Sequence, residues 1–187
     1  MLKNNTIKLS YFIVVVLLLG CKDDTLPKPN SQLRLDYPVA NYAVFENHCP
    51  FVFSINESSE IKENKDCGFE IKYPKMKATI FITYKPVHGN IDKLLLDAQK
   101  LTYEHVIKAD AILEQPYINR TKKVYGMFYK VNGNAATNSQ FYVTDSVKHF
   151  VTGSVYFYVK PNFDSIMPAA DYIKNDMQTL METIKWK

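Results

Sequence analysis

An α+β domain, with an antiparallel-rich β-sheet packed by two amphipathic helices at about 90–114 and 165–185, is expected on three grounds. Short runs alternating apolar and polar residues recur along the chain, the period of half-buried strands. Two longer stretches switch to helical spacing. Aromatic residues make up 13% of the 187 residues, against only 6 glycines and 9 prolines, a balance that favours packed sheet over disorder.

Residues 1–20 read as an export signal. Lys3 and Lys8 precede an apolar run from Tyr11 to Leu19, about half of the ~20 residues needed to span a bilayer but the right size for the apolar core of a signal peptide. Leu18-Leu19-Gly20-Cys21 resembles a bacterial lipobox, in which the chain is cut before the cysteine and the cysteine is acylated. Cys21 is therefore the expected lipidation site. Residues 21–32 form a polar tether carrying Pro27 and Pro29, a semi-extended spacer. Residues 33–187 are expected to be a single domain; at this length about 70 % of the unfolded surface is buried on folding.

Strand-like runs open that domain: LRLDYP, YAVFE and PFVFSI. The polar segment NESSEIKENKD lies between Cys49 and Cys67 and reads as a loop. In an exported protein two such cysteines most simply form a disulfide, which stabilises by about 3 kcal/mol in the chain-entropy model. A Cys49 nucleophile activated by His48 is disfavoured, because neighbouring residues of an extended chain point to opposite faces. GFEIKYP and KATIFITYKP follow; in the latter Ala78, Ile80, Ile82 and Tyr84 share one face and Thr79, Phe81 and Thr83 the other.

The first helix is expected over 90–114, where Ile91, Leu94, Leu95, Ala98, Leu101, Val106, Ala109 and Ile112 or Leu113 recur at helical spacing. Asn90 can cap it, Asp92 suits its positive end, and Pro116 lies just beyond. Three strands follow, VYGMFYKV, NSQFYVTD and HFVTGSVYFYVKP, the first two joined through Asn132-Gly133-Asn134, a hairpin signal. The second helix starts after Asp164 or Ser165, with Pro168 in its first turn. Ile166, Ala169 or Ala170, Ile173, Met177, Leu180 or Met181, and Ile184 form its apolar stripe.

Strand parity separates Tyr125, Met127, Tyr129, Tyr156 and Tyr158 from Val124, Phe128, Val155 and Phe157. Those rings, joined by Tyr142, either line a second core layer or form an exposed patch. Tyr125, Tyr129, Tyr156 and Tyr158 are the candidate partner surface on the second alternative.

Chemical motifs are lacking. His48, His88, His105 and His149 fall singly, without H-x-x-x-H or C-x-x-C spacing, so neither a metal nor another cofactor is expected. No glycine pattern cradles phosphate, and neither Ser146 beside Asp145 and His149 nor Ser154 sits on a nucleophile turn. The formal charge of +4 falls to about +2 when Lys3 and Lys8 leave, and it is scattered, which argues against nucleic acid. A non-enzymatic protein is expected; the alternative is a carbohydrate- or cell-wall-binding module using the aromatic rings. Asp24-Thr25-Leu26, Asp145-Ser146-Val147 and Asp164-Ser165-Ile166 resemble the Asp-Ser/Thr-apolar O-glycosylation signal of Bacteroidetes envelope proteins, making Thr25, Ser146 and Ser165 candidate modification sites.

The segments PKPNSQLRLDYP, GNAATNSQFYVTDS and HFVTGSVYFYVKPNFDSIMPAADYIKNDMQTLMETIKW resemble the gliding motility lipoprotein GldD family of Bacteroidetes. The resemblance implies a lipid-anchored component of the gliding apparatus and its coupled type IX secretion machinery. It brings no catalytic residues, and implies as partners the membrane, through the N-terminal anchor, and other gliding or secretion envelope proteins. Lys22-Asp23-Asp24 also resembles a surface-export signal; an outer-membrane location is expected, with periplasmic and surface orientations both open.

Overall fold

Ten strands and two helices make up the residues that the computed structural model describes, 35–103, 109–133, 137–159 and 163–187. The strands are Tyr42–Phe45 (β1), Phe51–Asn56 (β2), Glu60–Glu63 (β3), Phe69–Tyr73 (β4), Ala78–Pro86 (β5), Ala109–Asn119 (β6), Val124–Gly133 (β7), Ser139–Thr144 (β8), His149–Phe157 (β9) and Lys185–Trp186 (β10). The helices are Ile91–Tyr103 (α1) and Phe163–Thr183 (α2). A seven-stranded sheet runs β3-β4-β5-β9-β8-β7-β6, and a three-stranded one runs β1-β2-β10. All neighbours are antiparallel, so the fold is α+β, as expected.

The main core lies on one face of the large sheet. Phe69, Ile71, Ile80, Ile82, Phe128, Phe141, Val143, Val151 and Val155 project there, against Ile166, Ala169, Ile173, Met177, Leu180, Met181 and Ile184 of α2 and its C-terminal end, with Phe51 and Phe53 of β2 in the same cluster. That set reproduces the apolar stripe of the second helix. On the opposite face α1 forms a thinner layer, where Leu94 meets Val87 and Phe150, flanked by Ile91, Leu95, Ala98 and Tyr142. Cys49, ahead of β2, and Cys67, ahead of β4, have their sulfurs at bonding distance (2.15 Å) and their Cα atoms 5.6 Å apart.

Several expectations are corrected. The first helix is described over Ile91–Tyr103 and does not reach residue 114, because Ala109–Asn119 is the edge strand β6, paired with β7 along its length. Val106 and His105 of the expected helix lie outside the described residues. Apolar residues spaced by three or four also satisfy a strand over a short stretch, and the free edge of β7 settles which backbone partner they take. Pro116 consequently lies inside a strand, where an edge position tolerates its missing N–H. The polar segment between the cysteines contains β3, a charged strand on the other edge; with only Ile61 turned to the core it shows no alternation. Residues 35–41, part of LRLDYP and its extension, are not a strand.

Capping also differs. The Asn90 side chain accepts from the N–H of His88 at 2.8 Å, while its carbonyl accepts from Leu94 N–H at 3.1 Å; the side chain serves the preceding turn. The second helix begins at Phe163, so Ser165 stands inside it and Pro168 falls beyond the first turn. β10 follows it and adds two residues to the small sheet.

Candidate functional site

The four nominated tyrosines do not form one surface. Tyr129 is 2% exposed and packs with Tyr142, ring centroids 6.3 Å apart, beside Thr102 and Gln140 under α1. Burial raises its hydroxyl pKa, so it stays protonated. Tyr129 is therefore removed from the partner surface: parity placed it on the second face, and α1 covers that part of the face. Tyr125 is half-buried, level with Thr144 and, through it, Phe150. Tyr156, six residues further along β9, lies about 20 Å away at the strand rise. Only Tyr156 and Tyr158 are exposed, 42% and 57%, and their rings meet edge-on at 5.0 Å.

The other nominated residues are dispersed. Cys21 and Thr25 lie outside the described residues. Ser146 is exposed in the β8–β9 turn at φ 68°, and Ser165 is half-buried in α2. His48 Nε2 stands 3.9 Å from Cys49 Sγ, and His48, Cys49 and Cys67 bring ligand atoms within 4.8 Å of one another. With the two sulfurs bonded to each other, neither is the thiolate that ligates metal or attacks carbon. His149 Nδ1 meets Tyr84 Oη at 3.0 Å and its ring stacks on Trp186 at 5.1 Å, uses that hold the ring in place.

Two polar constellations escape the strand and helix patterns. One is structural. Asp176, 4% exposed, accepts hydrogen bonds from Tyr42 Oη at 2.6 Å, Tyr73 Oη at 2.8 Å and Asn56 Nδ2 at 2.9 Å. Asn56 Nδ2 also donates to Tyr172 Oη at 2.9 Å. Burial, reinforced by the bond to Asp176, pushes the Tyr42 hydroxyl up to about 12 and raises that of Tyr73 as well. Both remain donors at neutral pH, and the cluster joins β1, β2, β4 and α2. Tyr73 also borders a cleft of about 340 Å³ beside Tyr37 and Met76, but its polar end is committed to this cluster.

The second is the candidate site, a cleft of about 280 Å³ between the β7–β8 hairpin and the first half of α2. From the hairpin come Lys130, Val131, Asn132, Asn138 and Ser139; from the helix come Met167, Ala170, Asp171 and Lys174. Lys174 Nζ lies 2.9 Å and Lys130 Nζ 3.8 Å from the same Asp171 Oδ1. Asn138 closes the hairpin by accepting the Val131 N–H on its carbonyl at 2.9 Å. Its side chain is different: Oδ1 and Nδ2 are both buried and neither has a hydrogen-bond partner. The sequence does carry a signal for this site. Lys130 is in phase with Val124 and Phe128, so its charge falls on the core-facing side of β7.

A family model described as "Gliding motility lipoprotein GldD" matches residues 22–186. The chain belongs to that family. No curated protein matches it. Membership makes it a gliding-motility-related, lipid-anchored envelope protein, and no helix among the described residues is long and apolar enough to cross a membrane. Of the cleft residues, Asn138 and Ser139 fall in GNAATNSQFYVTDS and Met167, Ala170, Asp171 and Lys174 in the C-terminal segment that also carries the family resemblance, whereas Lys130, Val131 and Asn132 precede the first.

Proposed function

We propose that the protein is a non-enzymatic component or assembly factor of the gliding and type IX secretion machinery. It acts by docking other envelope proteins while lipid on Cys21 holds it at the outer membrane. The observation that carries this reading is the family match across residues 22–186. The described residues support it: the His149 ring is held by Tyr84 and Trp186, the sulfurs are paired, and the buried carboxylate Asp176 is satisfied by its own neighbours. One acyl chain gives marginal binding, whereas two or more give stable anchoring.

Cys21→Ala should move the protein from the membrane to the soluble fraction and abolish gliding, with the unfolding transition of the domain unchanged. Continued membrane association of the variant would refute the anchor. Crosslinking in intact cells, followed by pull-down from solubilised envelopes, should recover gliding or secretion proteins. Recovery of peptidoglycan or glycans instead would favour a carbohydrate-binding role centred on the exposed Tyr156 and Tyr158 pair.

A further inference from the structure

We propose that the cleft between the β7–β8 hairpin and α2 is a receptor for a short peptide segment bearing a carboxylate, read by Lys130 and Lys174 together with the unpartnered amide of Asn138. The inference does not depend on the family-based reading, and a cleft that binds nothing would leave that reading intact.

Three observations meet here. The first is charge. Among the described lining residues two ammonium groups face one carboxylate, and both reach for the same oxygen, Lys174 at 2.9 Å and Lys130 at a loose 3.8 Å. A second carboxylate entering beside Lys130 completes the pairing. The second is the amide. Asn138 is 4% exposed, and neither its oxygen nor its nitrogen is satisfied, a state that costs stability because desolvation is not repaid. Such an exception calls for a reason, and Asn138 lines the cleft, so a shift of its side chain toward a ligand there would give the amide the partners it lacks. The third is shape. Met167, Ala170 and Val131 give the cleft apolar walls, and its volume of about 280 Å³ is near the small end of ligand sites, about 300 Å³.

These features select a peptide over a bare anion. A free carboxylate offers the Asn138 nitrogen an acceptor but brings its oxygen no donor, and a tetrahedral phosphate leaves the apolar walls unfilled. A peptide unit offers both, its carbonyl to Nδ2 and its N–H to Oδ1, while an acidic side chain or terminal carboxylate reaches the lysines. The apolar walls take the adjoining side chain.

The test uses the full lipidated chain in detergent, labelled with 15N and titrated with N-acetyl-Ala-Ala-Glu, its neutral counterpart N-acetyl-Ala-Ala-Gln-amide, and inorganic phosphate. The acidic peptide should give saturable amide shifts at Asn132, Ser139 and Ala170, with the neutral peptide at least tenfold weaker. Lys130→Met and Lys174→Met should each weaken binding severalfold, and Asp171→Asn should tighten it by freeing both lysines. Asn138→Leu should abolish the shifts and raise the melting temperature of the unliganded protein, because it removes an unsatisfied amide. A purely structural asparagine would do the reverse. Absence of saturable shifts, weaker binding by Asp171→Asn, or phosphate binding as tightly as the acidic peptide would each overturn the proposal. The lysine and aspartate variants decide the matter should Asn138→Leu fail to fold.

Discussion

Asp145 organises the β8–β9 turn with a single carboxylate oxygen, which accepts the N–H groups of Val147, Lys148 and His149 at 2.8–2.9 Å. Ser146, in between, is held at φ 68°. Burial works against the charge, but the three backbone donors outweigh it and keep the carboxyl below its ordinary 3.8. A lowered folded pKa means the stabilisation is fully present above the unfolded value and is lost as the pH falls through the folded one. Asp145→Asn should therefore melt below the wild type at pH 7, by about 1–2 kcal/mol. The gap should narrow as the pH drops below 3.8, and a gap constant with pH would refute the account. Gly153 makes a different demand: a Cβ there would lie 2.1 Å from the Phe141 ring across the β8–β9 pairing. Gly153→Ala should cost about 1–3 kcal/mol by overpacking. Adding Phe141→Leu should recover part of that loss in a double-mutant cycle.

At the scale of elements, α2 is the piece to which both sheets attach. Its inner stripe is buried among the strands, and on another side Asp176 takes up Tyr42, Tyr73 and Asn56 while Thr183 Oγ1 accepts from Ser54 N–H at 2.9 Å. Asp176→Ala should lower stability by about 3 kcal/mol, because it strands the buried Tyr73 hydroxyl and Asn56 amide. A lower urea midpoint at unchanged m-value is the expected reading. The stripe of α2 was legible because Ile166, Ile173, Met177, Leu180 and Ile184 fall on one side of a long helix. The β6 segment was not, since spacing compatible with a helix is resolved only by the edge of β7. Neither was β3, where Ile61 alone packs on the core between charged, exposed neighbours and a single apolar residue shows no period.

For the whole molecule, the Cys49–Cys67 link joins the start of a small-sheet strand to the start of a large-sheet strand, 18 residues apart in sequence. Replacing both cysteines with serine should reduce stability by about 3 kcal/mol and loosen amide-exchange protection in β1 and β2 before β5, β8 and β9. Uniform loss of protection would contradict a link acting between the two sheets. The candidate site belongs to this scale as well. Lys130 and Asn138 come from the hairpin and Asp171 and Lys174 from a helix some 30 residues later, so their meeting depends on how the layers close.

Local order alone was enough to establish an antiparallel α+β chain, the inward faces of β5, β7, β9 and α2, the pairing of two exported cysteines as an expectation, and the family. Periodicity records which side of an element avoids water, and that property is carried by neighbours in the chain. Which side is then covered, and by what, depends on contacts between distant residues. The packing of α1 over Tyr129, the recruitment of 109–119 to a sheet edge, and the assembly of two lysines and an unsatisfied asparagine in one cleft were therefore settled by folding.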